Sequence, residues 1–352
     1  MEDIKRDLAG MLLGLLLLFL CAGCGVPAAP SEEAGDGTAQ RSFFAMNTYI
    51  AMRAEGPAAG EALLEAENLI CRLEGQFSVT GEGSEIYAAN HSGGAPVPVS
   101  ADTEELLALA LDMARETGGA LDPTIYPVLS AWGFTTETRQ VPSPEELDAL
   151  LPLVDHEQIS LRDHTVAVPD GMALDLGAVA KGYTGDRAAE LLEASGISSA
   201  LINLGGNVQA VGKKPDGSAW RVGVRSPFSE GNIGVLEVED CAVVTSGGYQ
   251  NYFVGEDGQV YWHILDPETG YPARTGLASV TVVAERGAYC DALSTALFVM
   301  ELDDALDYWR AHRDFEALLV TEDGMVCLTP GLSGRFTLNE DAVAGEAEVV
   351  EP

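Results

Sequence analysis

Between residues 42 and 337 the chain alternates strand-like and helix-like periodicity in an order that fits no regular βαβ repeat, and that order limits the folds open to it. Residues 42–53 read as a strand. Residues 60–76 follow as a helix, with Leu63, Leu64, Ile70 and Leu73 at helical spacing. A second helix spans 100–118: Asp102 and Glu105 stand in capping-box relation, Leu106, Leu107, Ala110, Leu111 and Ala114 share a face, and Gly118-Gly119 stops it. Ser143, with Pro144 and Glu146 behind it, starts a third. A fourth, over 182–195, leads into a buried strand over 199–211 that Gly205-Gly206 interrupts, a sign of backbone passing close to another group. Residues 220–224 alternate apolar and polar, 252–265 read as a hairpin turned at Asp257-Gly258, and 277–284 alternate again. A helix over 288–300 and short strands within 315–337 complete the pattern. Helices interleaved with hairpin-joined strands predict an α+β fold. No GxGxxG follows a strand, so a Rossmann dinucleotide site is not supported.

The two ends of the chain read differently from its middle. Lys5 and Arg6 precede an apolar run over 11–20, too short to span a bilayer comfortably and shaped like a signal peptide. Behind it, Leu20-Cys21-Ala22-Gly23-Cys24 resembles the lipobox of bacterial lipoproteins. The expectation is cleavage after residue 23, acylation of the Cys24 thiol, and anchoring on the extracytoplasmic face of the cell membrane. Residues 24–40 are expected to form an acidic tether, 41–340 the folded domain and 341–352 an acidic tail. The net charge of −36 would repel phosphate backbones over most of the surface and argues against nucleic acid partners. Cys71, Cys241, Cys290 and Cys327 have no CxxC or metal-ligand spacing and read most simply as small buried hydrophobes.

Three clusters carry chemistry. Asp291 and Thr295 stand one helical turn apart, so a carboxylate and a hydroxyl share a face and could both ligate a hard cation; a capped helix with a back-bonded threonine fits the same pair. The run Asp175-Leu-Gly-Ala178-Val-Ala-Lys181-Gly182-Tyr183 crosses from strand to helix. Its glycines permit close backbone approach, its helix N-terminus suits an anion, and Lys181 adds a point charge, although a plain connection with a solvated lysine fits equally. In His263-Ile-Leu-Asp266-Pro-Glu-Thr-Gly270-Tyr-Pro272 a histidine precedes a rigid turn and could act as a general base or as a structural residue.

Taken together, these clusters resemble the ApbE family of bacterial FAD:protein FMN transferases. The resemblance runs in order through "FFAMNTYI", "GGALDPTIYPVLSAWGF", "ALDLGAVAKGYTGDRAAELL", "ALINLGGNVQAVG", "WRVGVRSP", "VVTSGGYQNYF", "HILDPETGYPA" and "DALSTALFV". It implies a T-fold-like α+β architecture of two closely packed lobes with the flavin between them. It also implies Mg²⁺ held by the Ala178 carbonyl with Asp291 and Thr295, and FAD lined by Met46, Ala120, Leu121, Asp122, Asp175, Lys181 and Ile264. Where the family has an aromatic contact ahead of "SEI", this chain has Ser78-Val79-Thr80-Gly81. The implied activity is Mg²⁺-dependent transfer of FMN from FAD to a threonine or serine of an acceptor protein, such as a redox-complex subunit, with release of AMP and with His263 as the base. An FAD pyrophosphatase on the same scaffold and a non-catalytic flavin-binding lipoprotein remain open from the residues alone.

Overall fold

The computed structural model describes residues 32–34, 37–136, 138–339, 342 and 347–352; Cys24 and the signal-peptide assignment over 1–23 lie outside them. The first half of the chain holds β1 (Glu32–Ala34), β2 (Thr38–Ala45), β3 (Thr48–Glu55), α1 (Ala59–Phe77), α2 (Glu85–Asn90), β4 (Val97–Pro98), α3 (Ala101–Glu116), α4 (Tyr126–Ala131), α5 (Pro144–Leu150), β5 (Ser160–Arg162) and β6 (Thr165–Ala167). Next come α6 (Ala180–Ala194), β7 (Ser199–Leu204), β8 (Asn207–Gly212), β9 (Trp220–Arg225), β10 (Asn232–Val238) and β11 (Cys241–Gly247). The remainder is β12 (Tyr252–Val254), β13 (Val260–Trp262), β14 (Leu277–Ala284), α7 (Gly287–Val299), α8 (Leu302–His312), β15 (Glu316–Thr321), β16 (Val326–Leu328), β17 (Phe336–Leu338) and β18 (Ala347–Val349).

Ten strands form one sheet in the order β1-β2-β3-β7-β8-β11-β14-β15-β16-β18, with only the β16–β18 pair parallel. The central strands are apolar on both sides because both faces are covered. On one face, β9, β10 and β17 make a small second sheet. Its inward residues Trp220, Val222, Val224 and Leu236 pack on Val208, Val243, Val283 and Leu318. The other face carries helices and is filled by two core sections. One gathers Ile50, Ile70, Ala188 and Ile202; the other gathers Leu106, Tyr183, Val280 and Leu293. The α+β class expected from the sequence is the one observed.

Helices α6 and α7 cross at two glycines. A Cβ on Gly182 would lie 2.1 Å from the Gly287 carbonyl oxygen, and one on Gly287 would lie 2.7 Å from the Gly182 oxygen, so the backbones touch with no room for a methyl group. Asp186, one turn along α6, then caps α7 by accepting the N–H groups of Gly287 and Ala288 at 2.5 and 2.9 Å. The crossing fixes the depth at which the rest of α7 enters the core.

Several elements differ from the sequence reading. Helix α3 is capped by Ser100, whose Oγ accepts the Thr103 N–H; Asp102 and Glu105 instead both receive the Tyr183 hydroxyl, at 3.1 and 3.2 Å. The buried segment over 199–211 is two strands, β7 and β8, joined by a turn at Gly205-Gly206. The segment read as a tether, 24–40, reaches into the sheet, since β1 pairs with the start of β2, and the tail at 341–352 supplies β18. Both pairings extend the sheet edge through backbone hydrogen bonds, which composition does not report. Strands β10 and β11 and helix α8 are additions to that reading. Cys241, Cys290 and Cys327 are buried, Cys71 is exposed, and all four are free thiols.

Gly182→Ala is expected to cost about 1–3 kcal/mol in urea denaturation, the usual penalty of overpacking a closed contact. Gly185→Ala in the same helix meets Leu204 Cδ1 at an ordinary 3.6 Å and should be neutral or stabilise by up to about 1 kcal/mol. Equal responses of the two variants would show that the crossing is not set by backbone contact.

Candidate active site

Helix ends and strand turns converge on one cleft of about 770 Å³, inside the range of roughly 300–1,000 Å³ common for small-molecule sites. Met46, Ala120, Leu121, Asp122, Asp175, Ala178, Lys181, His263, Ile264, Asp291 and Thr295 all line it, so the structure brings together residues spread over most of the chain.

The floor carries three oxygens. Asp291 is 3% exposed, and its Oδ2 accepts the Gly182 N–H at 2.9 Å. That N–H is one the first turn of α6 would otherwise give to the Ala178 carbonyl, and among the described residues no group donates to that carbonyl. The Thr295 hydroxyl lies 3.3 Å from Ser246 Oγ, which is itself 2.8 Å from Ser294 Oγ. A free carbonyl, one carboxylate with its second oxygen uncommitted and a hydroxyl form a hard-donor set suited to Mg²⁺. Among the described residues no group of three or more His, Cys, Asp or Glu could hold a metal, so a cation here would rest on the carbonyl and the hydroxyl as well as the carboxylate. The residues fit a partly solvated magnesium ion.

Charge at the cleft is mixed, with Lys181 and Arg139 set among Glu74, Asp122, Asp175 and Asp291. Of 19 lysines and arginines in a chain of net charge −36, Lys181 and Arg139 face this space. Lys181 Nζ donates to the Gly177 carbonyl at 3.2 Å, beside the start of α6, where the Ala180 N–H is taken by the Leu176 carbonyl and the Gly182 N–H by Asp291. A lysine beside the positive end of a helix dipole favours a phosphate there. Asp175 accepts the Gly177 N–H at 2.8 Å, yet burial pushes its carboxyl above the usual carboxylate range against that bond and against Lys181. Asp122 is committed elsewhere: Oδ1 takes the N–H and hydroxyl of Thr124, and Oδ2 takes the backbone N–H and Nδ1 of His156 at 3.1 and 2.8 Å. It holds the cleft wall in place instead of offering a free oxygen to a ligand.

The rim is built from two adjoining turns. Met46 and Asn47 both have positive φ, 52° and 58°, between the paired Ala45 and Thr48, which makes the β2–β3 connection a two-residue turn of the type that usually wants Asn-Gly. A methionine there costs about 1–2 kcal/mol. The cost is offset because the Met46 N–H donates to Glu74 Oε1 at 2.6 Å and its side chain packs against both core sections. Gly205, at φ +62°, lies against Thr48: a Cβ there would be 2.0 Å from the Thr48 hydroxyl. This is the close approach that the double glycine announces in the sequence. Aromatic surface comes from Phe44, Phe77 and Phe134, since Ser78, Val79 and Thr80 contribute none.

His263 faces the cleft from the end of β13. Its Nδ1 lies 3.2 Å from the Asn251 carbonyl oxygen, and a carbonyl only accepts, so Nδ1 carries the proton and Nε2 keeps its lone pair. Burial first, then the charges of Lys181 and Arg139, push its pKa down to about 4. The ring is therefore neutral at physiological pH. Arg139 in turn donates to Asn251 Oδ1 at 3.0 Å and lies over the Phe134 ring at 4.9 Å. Arg139, Asn251, Ser246 and Glu74 are the site residues that sequence reasoning misses; Ser246 and Asn251 stand in the "VVTSGGYQNYF" block, while Arg139 and Glu74 carry no local signal.

The sequence matches the model of the ApbE family over residues 46–319. A FAD:protein FMN transferase of Treponema pallidum (strain Nichols) is 35% identical over 92% of this chain and 94% of its own length, and one of Klebsiella pneumoniae (strain 342) is 34% identical over 76% and 85%. The fold is similar to that of the ApbE protein from Thermotoga maritima, with a TM-score of 0.80 at 33% identity, covering 84% of this chain and 98% of that one. The flavin transferase ApbE from Vibrio cholerae superposes with a TM-score of 0.77 at 27% identity, covering 88% and 100%.

Asp291→Asn keeps an acceptor for the Gly182 N–H and removes the charge. Mg²⁺ affinity, read by calorimetry, is expected to fall by more than the roughly 10–100-fold that loss of an outer-shell partner costs, with the unfolding midpoint little changed. Unchanged Mg²⁺ affinity would remove Asp291 from the metal site.

Proposed function

The chain belongs to the ApbE family, and on that premise we propose that it transfers FMN from FAD to a threonine or serine hydroxyl of an acceptor protein and releases AMP. The observation that carries this reading is a neutral histidine with a free Nε2 facing the same cleft as a hard-oxygen set and a lysine-topped helix N-terminus. Those groups are what attack on a pyrophosphate needs: a place for the anion, a counter-charge and a proton acceptor.

Lys181 and the start of α6 draw the pyrophosphate of FAD to the floor, against the repulsion of the surface. Ala178, Asp291 and Thr295 would hold Mg²⁺, whose chemistry when bound is to neutralise charge on the phosphate oxygens. The acceptor oxygen bonds to the phosphorus on the FMN side, the bond from that phosphorus to the oxygen of the AMP phosphate breaks, and AMP leaves with the electron pair. The hydroxyl proton passes to His263 Nε2. Asn251 fixes the tautomer through Nδ1, and Arg139 fixes Asn251. Met46 and Ile264 bound the apolar part of the cleft, where the isoalloxazine belongs.

Incubation with FAD, Mg²⁺ and a carrier protein bearing a Ser-Gly-Ala-Thr segment, read by in-gel flavin fluorescence, tests the reading. Fluorescence on the carrier supports it. Free FMN without labelled protein would make the enzyme a pyrophosphatase, and FAD retained without turnover would make it a binding protein.

His263→Ala is expected to slow transfer by about two to four orders of magnitude while leaving FAD affinity nearly intact. Because the free enzyme holds His263 near 4, the base form is already complete above about pH 5, and kcat/KM for FAD should show no histidine step near 6.5. The acid limb of kcat should lie at higher pH, since a bound pyrophosphate brings negative charge toward the ring and raises its pKa. A step near 6.5 in kcat/KM that survives in His263→Ala would assign the base elsewhere.

We further propose that Cys24 carries a lipid anchor that holds the enzyme, and its redox-subunit acceptors, at the extracytoplasmic membrane surface. Cys24→Ala should move the protein from the membrane to the soluble fraction with unchanged turnover. Wild-type protein without lipid on Cys24, seen by mass spectrometry, would refute the anchor.

A further inference from the structure

The hairpin of β12 and β13 stands beside the cleft and has an edge that no described residue pairs with. Its register is fixed at both ends: the His263 N–H donates to the Asn251 carbonyl at 3.1 Å, and the Gly255 N–H donates to the Gln259 carbonyl at 2.8 Å. In an antiparallel ladder, pairs that exchange hydrogen bonds alternate with pairs that do not. Phe253 and Tyr261 therefore bond inward, and Tyr252 and Val254 turn N–H and C=O to the outside of β12. Among the described residues no group pairs with those four atoms. On the opposite edge, the outward Val260 carbonyl is already taken by Arg274 at 2.6 Å, and that guanidinium covers the Trp262 ring.

The side chains reinforce the edge. Phe253 and Tyr261 pack inward on Trp132, which anchors the hairpin to the cleft wall. Tyr252, Val254 and Val260 share the outer face and are 52%, 60% and 40% exposed, with no charged residue among them. A bare apolar edge of this kind is normally blunted by lysine, proline or a covering loop because it pairs with other strands.

We propose that the outer edge of β12 is the docking site of the acceptor polypeptide, which adds there as an extended strand so that the residues beyond it pass Asn251 into the cleft. The proposal rests on the transferase reading above. Alternating backbone donors and acceptors with apolar side chains between them complement another extended chain and not a small molecule. Continuity selects the acceptor: Gln250 and Asn251 line the cleft, Tyr252 follows them directly, and Asn251 is the residue that orients His263.

The test uses Val254→Pro in the otherwise intact protein, with the Ser-Gly-Ala-Thr carrier as probe. Proline removes an outward N–H and crowds the edge, yet leaves the Phe253–Tyr261 bonds of the hairpin in place. KM for the carrier should rise about tenfold, a little more than one hydrogen bond's worth, with FAD affinity and carrier-independent FAD turnover unchanged. In the wild type, amide exchange at Tyr252 and Val254 should slow when the carrier binds. Unchanged KM, or no slowing at those amides while transfer proceeds, overturns the proposal; if the variant does not fold, the exchange measurement decides. Slowing that depends on enzyme concentration without carrier would assign the edge to a second copy of this chain and also overturns it. A wild type that labels no carrier at all refutes the transferase reading instead.

Discussion

At Gly182 and Gly287 two helices touch backbone to backbone, and the working parts of the protein are placed by that contact. Because no side chain separates α6 from α7, Asp291 comes within hydrogen-bond distance of the Gly182 N–H. The same bond diverts that N–H from the Ala178 carbonyl. One close crossing therefore sets the carboxylate, frees the carbonyl and aims the start of α6 into the cleft. A methyl group at either glycine would separate all three at once.

The cleft solves an electrostatic problem set by the rest of the chain. A surface carrying −36 overall repels a dianionic pyrophosphate, so affinity for it has to be local. Two of the acids at the cleft are committed to backbone or side-chain donors, Glu74 to Met46 and Asp122 to Thr124 and His156, and so serve as braces. Burial, helped by the charges of Lys181 and Arg139, keeps His263 neutral, which leaves Nε2 able to accept a proton.

Local chemistry was legible in the sequence wherever it is local in the structure. Ser143 caps α5 ahead of Pro144, and Gly258 turns the β12–β13 hairpin at φ +80°. The i, i+4 pair Asp291 and Thr295 does face one space. What sequence could not give are relations across distance. The cap of α3 was misplaced because Asp102 and Glu105 make an acceptable capping pattern, while their actual partner, Tyr183, lies on another helix. Helix α8 had a readable face in Ala305, Leu306 and Trp309, but its acidic first turn resembles a loop. Arg139 and Glu74 matter through single contacts made far along the chain, and nothing near them distinguishes them from surface charges.

The pairing of β3 with β7, Ile50 opposite Leu204, spans a connection that contains residues 56–198. Loop-closure entropy grows by about 0.6 kcal/mol for each doubling of loop length, so this pairing costs about 4 kcal/mol more to close than a two-residue hairpin. Hairpins β2–β3 and β7–β8 can form early and alone; their joining waits for the inserted segment to collapse. Only then does the Met46 turn meet Gly205. The rim of the cleft is thus expected to close late in folding, and a partly folded chain, however much secondary structure it holds, would lack the complete cleft.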